Sequence, residues 1–103
     1  MVFIYTTCAD MNEAKKLGTL IIDKKFGVCV DYWPVYSMYH FDGKLKEISQ
    51  VMLLITTLES KLEDVNVLIS SHHSYAIPLI AGVDVRRMNR AYKEWMTNEL
   101  SQF

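Results

Sequence analysis

Cys8, His72 and His73 are the side chains of this chain best suited to chemistry beyond packing. Thiolate sulfur and imidazole nitrogen are ligands for soft or borderline cations such as copper and zinc. Neighbouring residues on a regular helix point about 100° apart, so His72 and His73 can grip one ion only where the helix unwinds between them. The same residues also admit a structural reading. One histidine would close a helix C-terminus, where the dipole favours imidazolium, and the other would make a subunit contact. Cys8 would then be a small buried hydrophobe. A third reading is nucleophilic catalysis, since Cys8 stands just ahead of a helix N-terminus, which lowers a thiol pKa, and Asp10 is near. Against it, Ala9-Asp10-Met11 supplies no glycine-rich oxyanion loop, and the glycines at 18, 27, 43 and 82 are too scattered to cradle a phosphate. The expectation is a binding protein rather than an enzyme, with no cofactor assigned beyond a copper or other divalent cation.

These residues meet only if the fold brings them together. Val2, Phe3, Ile4 and Tyr5 open a short apolar run ending at Cys8, as expected for a strand covered on both faces. Asp10 then precedes Glu13 by three residues, a capping-box variant, and Ala14, Leu17, Gly18, Ile21 and Ile22 trace one helical face toward Phe26-Gly27. Two long β-rich stretches follow, 28–41 and 45–57, meeting at Asp42-Gly43, a strong hairpin signal because the turn needs positive φ. Ser60-Lys61-Leu62-Glu63 reads as a second capping box, opening a helix that carries Leu62, Val65, Leu68 and Ile69 and stops near His72-His73. A last strand is predicted over 79–85, then a helix marked by Met88, Ala91, Tyr92, Trp95 and Met96.

The order β-α-β-β-α-β has a simple solution in the α+β class: a ferredoxin-like sandwich with a long hairpin and an extra C-terminal helix, one domain over residues 1–103. In that topology the first two strands are parallel, with the third between them. Cys8 then ends the first strand while Cys29 begins the second. The two thiols would be roughly 20 Å apart, far beyond disulfide reach, and so free. Cys8, Asp10, His72, His73 and the hairpin tip would share one end of the sandwich. Each hairpin arm could extend roughly 40 Å, about twice a typical strand. One small domain cannot cover such arms, so another copy of the chain is the expected partner.

Composition restricts the alternatives. Apolar residues make up 50% of the chain, charged residues 22%, and the net charge is −1, so neither nucleic acid nor an acidic membrane is an expected partner. The basic run Arg86, Arg87, Arg90 and Lys93 reads as a solvated helix face. No apolar stretch approaches the ~20 residues of a spanning helix, and the first residues carry no signal-peptide pattern. The expectation is a cytoplasmic protein. Tyr32, Trp33, Tyr36, Tyr39 and Phe41 crowd one arm, which suits a subunit interface.

Three segments carry a more specific likeness. Ser37-x-Tyr39-x-x-Asp42-Gly43-Lys44, then Leu53-Leu54-Ile55-Thr56-Thr57, then His72-His73-Ser74-Tyr75-x-x-Pro78 together resemble the CutA-type divalent-cation-tolerance family, as do Tyr92 and Trp95 in the last helix. The resemblance implies a ferredoxin-like subunit related to PII-type proteins, assembled as a homotrimer through the hairpin. It also implies copper or other divalent-cation binding by a first-strand thiol and the paired histidines, here Cys8, His72 and His73; the alternative is a PII-like signalling trimer that has lost the metal. Several family positions differ. Phe41 replaces the hairpin tryptophan, and Gln50, Thr56 and Leu79 replace charged residues. Ser74 replaces a proline, and Thr6 stands where the family thiol aligns, with Cys8 two residues later.

Overall fold

A computed structural model describes residues 1–101. The elements are β1 (Val2–Cys8), α1 (Met11–Asp23), β2 (Cys29–Phe41), β3 (Lys44–Thr57), α2 (Leu62–His72), β4 (Ala81–Asp84) and α3 (Arg90–Leu100), with a 3-10 turn at Glu59–Lys61. They form one sheet in the order β2-β3-β1-β4, in which β1 is antiparallel to both β3 and β4, and β2 is antiparallel to β3. β1 and β2 are thus parallel with β3 between them, the ferredoxin-like arrangement read from the element order. Among the described residues, no helix is long and apolar enough to cross a membrane.

One face of the sheet makes the core. Alternate residues of β1, Val2, Ile4, Thr6 and Cys8, are buried, and their partners across the ladder are Thr57, Ile55, Leu53 and Val51. The period of two puts these side chains on one face, where Ala14, Leu17 and Ile21 of α1 and Val65, Leu68 and Ile69 of α2 close over them. α3 buries Met96 and Leu100 outside this cluster. It is held near the end of α1 by Lys25–Glu99 at 3.6 Å.

The hairpin outruns the rest of the sheet. β2 pairs with β3 from Cys29↔Thr56 to Phe41↔Lys44, whereas β1 covers β3 only from Val51 to Thr57. Residues 35–41 and 44–50 therefore continue as a two-stranded ribbon, and the molecule is elongated at 47 × 26 × 20 Å. The tip is a tight turn with φ of 52° at Asp42 and 74° at Gly43, the paired positive φ of a type I′ turn.

Several expected boundaries differ, among them the start of α3, which lies at Arg90 and leaves Met88 outside the helix. The Ser60 capping box does not form: α2 starts at Leu62 with Lys61 at the N-cap position, and the helix entrance has no side-chain capping hydrogen bond. The preceding 3-10 turn, closed by Lys61 N–H to Leu58 O, takes the place of a side-chain cap. The last strand is shorter than 79–85, because β4 pairs only with Val2 to Tyr5 of β1. Further along β1, the Thr7 carbonyl accepts instead from a side chain, His73 Nε2 at 2.8 Å.

Gly27 sits where α1 turns into β2, and an added Cβ would lie 2.8 Å from Ile55 and 2.9 Å from Ile21 side-chain carbons. Both neighbours are fully buried, so neither yields easily. Gly27→Ala is expected to lower stability by about 1–3 kcal/mol through overpacking, read as a lower denaturant midpoint with an unchanged slope.

Candidate functional site

The site forms where three chain ends converge: the end of β1, the start of α1 and the end of α2. Asp10 is extended and caps α1, its Oδ1 accepting from Glu13 N–H at 2.9 Å. Glu13 reaches back past the cap, its Oε1 accepting from Ala9 N–H at 2.8 Å. This is the capping box read from Asp10-x-x-Glu13, shifted by one residue. The second carboxylate oxygen, Oε2, accepts from Ser74 N–H at 2.8 Å. One side chain thus bolts the beginning of α1 to the segment that follows α2.

That segment presents His73. The helix ends at His72, and His73 is extended, with φ −75° and ψ 143°. Its ring is wholly buried and lies with Nδ1 3.9 Å from Glu13 Oε2. Thr7 O can only accept, so the 2.8 Å contact requires Nε2–H to donate; Tyr75 N–H can only donate, so Nδ1 accepts it at 3.0 Å. The partners thereby select the Nε2–H tautomer. Tyr75 also lies against the imidazole, with ring centroids 4.8 Å apart. Its hydroxyl donates to Gln50 Oε1 at 2.9 Å, and Gln50 Nε2 donates to Ser37 Oγ at 2.8 Å.

Cys8, Glu13 and His73 bring sulfur, oxygen and nitrogen within 4.8 Å of one another. Of the three predicted ligands, Cys8 and His73 meet, and His72 does not join them. The helix does end between the histidines, but the exposed His72 donates Nδ1–H back to Leu68 O at 3.0 Å. Glu13 belongs to the cluster, although its sequence pattern marked it only as a capping residue. The donor set suits a borderline cation in kind and spacing. A cation entering it must displace the thiol proton and disturb the bonds of His73.

The electrostatics correct one expectation. The Cys8 thiol is not activated by the helix N-terminus. Burial, followed by the Glu13 and Asp10 carboxylates, pushes its pKa up to about 12. Two carboxylates beside the sulfur outweigh the partial positive charge of the helix end, and a thiol held protonated is not a nucleophile at neutral pH. For Glu13, burial alone would raise the carboxyl pKa. The N–H donors of Ala9 and Ser74 reverse this and hold it below the ordinary 4.5. The Thr6 hydroxyl is buried with no hydrogen-bond partner among the described residues. Cys29 lies apart, beside Asp31 and Tyr92, and both thiols are free.

Comparison with known proteins agrees with this architecture. Residues 2–99 match the family model for CutA1 divalent ion tolerance protein. The divalent-cation tolerance protein CutA of Thermococcus kodakarensis is 32% identical over 99 residues, which span 96% of this chain and 95% of that protein. Its counterpart in Archaeoglobus fulgidus is 26% identical over 94 residues, or 91% and 92% of the two chains. The crystal structure of CutA1 from Pyrococcus horikoshii superposes with a TM-score of 0.94 at 26% identity, covering 99% of this chain and 100% of that one.

Glu13 generates a pH prediction whose sign is fixed by its depressed pKa. Such a carboxylate stabilises the fold fully above its unfolded-state pKa, and the contribution is lost as pH falls through the folded value. Stability should therefore decline as pH drops below the ordinary carboxyl value of 4.5. Glu13→Gln can accept only one of the two N–H bonds. It should cost about 1–3 kcal/mol at neutral pH and flatten the acid limb, as measured by denaturation at a series of pH values.

Proposed function

The chain belongs to the CutA1 divalent ion tolerance family, and from that premise we propose that it is a cation-binding trimer rather than an enzyme, taking one soft or borderline divalent cation per subunit at Cys8, Glu13 and His73. The observation that carries the reading is the convergence of three different donor atoms within 4.8 Å at the end of β1. Thiolate and imidazole select copper or zinc over the hard cations calcium and magnesium. Glu13, already anchored by Ala9 and Ser74, brings negative charge without having to be ordered on binding. His72 is outside the set in this reading. Two free thiols suit a reducing, cytoplasmic setting.

Assembly is the second part of the proposal. Exposure along the ribbon reaches 91% at Tyr36, 61% at Met38 and Leu45 and 55% at Phe41, a concentration of apolar surface that a solitary ribbon would not keep in water. A second and third copy of the chain are the occupants that the ribbon's length favours. Light scattering at micromolar concentration should give the mass of three chains. Tyr36→Asp combined with Met38→Asp should reduce it, and a monomeric unaltered protein would refute the assembly.

Cobalt(II) tests the cation site, because a thiolate ligand gives it a near-ultraviolet charge-transfer band. The band is expected in the unaltered protein and absent in Cys8→Ser. His73→Ala should weaken binding by at least about tenfold, whereas His72→Ala should bind as the unaltered protein does. Because the Cys8 thiol must surrender its proton, affinity should rise with pH by about tenfold per unit across the neutral range. Binding that depends on His72 and ignores Cys8 would contradict the assignment.

A further inference from the structure

β1 stops at Cys8, opposite Val51, and β3 runs on through Gln50 into the projecting ribbon. Tyr75 bridges that step. Its hydroxyl holds Gln50, Gln50 holds Ser37 on the other arm, and its backbone N–H holds His73 Nδ1. The ribbon's base is therefore braced by the same residue that uses the single lone pair of the His73 ring.

We propose that Tyr75 links the cation site to the base of the ribbon, so that a cation at His73 and an intact Tyr75 brace compete with each other. The inference rests on the cation-binding reading above. A ligand bond at Nδ1 takes the lone pair that Tyr75 N–H now uses. A ligand bond at Nε2 requires the ring proton to move to Nδ1, where it would face the Tyr75 N–H directly. In both cases Tyr75 loses its acceptor. An N–H left without a partner beside a buried ring is costly, so the backbone at Tyr75 shifts and the hydroxyl's hold on Gln50 weakens. Linkage is reciprocal: whatever loosens the brace must favour the cation.

Tyr75→Phe retains the ring against His73 and the backbone N–H, and removes only the bond to Gln50. In a cobalt(II) titration of the full chain it should bind about threefold to tenfold more tightly than the unaltered protein, the scale of one hydrogen bond. A residue of merely structural importance would, when altered, leave affinity unchanged or weaken it. A second measurement needs no variant: cobalt(II) should accelerate amide hydrogen exchange at residues 35–38 and 48–51 of the unaltered protein. Equal or weaker affinity in Tyr75→Phe with the thiolate band intact would overturn the link, as would exchange that cobalt leaves unchanged. No thiolate band in the unaltered protein would overturn the cation reading itself, and the link with it.

Discussion

A single carboxylate organises one end of this fold. Glu13 accepts from Ala9 N–H on one oxygen and from Ser74 N–H on the other, joining segments 61 residues apart in sequence. Three chain ends depend on that bond pair: the exit of β1, the first turn of α1 and the segment that leaves α2. The N–H groups that Glu13 satisfies keep it ionised despite its partial burial. The same negative charge adds to burial in holding the Cys8 proton in place and lies 3.9 Å from the His73 ring. Structure and candidate chemistry therefore share one group, and neither can change there without the other.

A mismatch in strand length sets the second constraint. β1 has 7 residues and β3 has 14, so half of β3 has only β2 beside it. The sheet resolves the step with side chains rather than backbone. Gln50 is buried, spans Ser37 and Tyr75, and ends the core at the point where β1 gives out. A buried amide is tolerated because both of its ends are used. Beyond it the ribbon exposes Tyr36, Met38, Phe41 and Leu45 among its charged residues.

Local signals made much of this legible from sequence. Asp42-Gly43 located the hairpin because positive φ at two consecutive residues is a local demand, and Asp10-x-x-Glu13 located α1 for the same reason. Ser60 misled because a 3-10 turn, a choice made by the chain leaving β3, displaced its cap. The bond of His73 to Thr7 is a contact across 66 residues that no local pattern encodes. His72 and His73 look equivalent in sequence. They differ because the helix stops between them, leaving one ring hydrogen-bonded along α2 and swinging the other under the end of β1. The helix terminus alone would lower the Cys8 pKa, but burial and then two carboxylates stand against it.

The hydrogen bonds around His73 leave its ring one available lone pair and commit that pair to Tyr75. Nitrogen-15 NMR of the imidazole tests this directly, since protonated and unprotonated ring nitrogens resonate far apart. At neutral pH, without added metal, the account predicts a protonated Nε2 and an unprotonated Nδ1 for His73. A protonated Nδ1, alone or in an imidazolium, would contradict it.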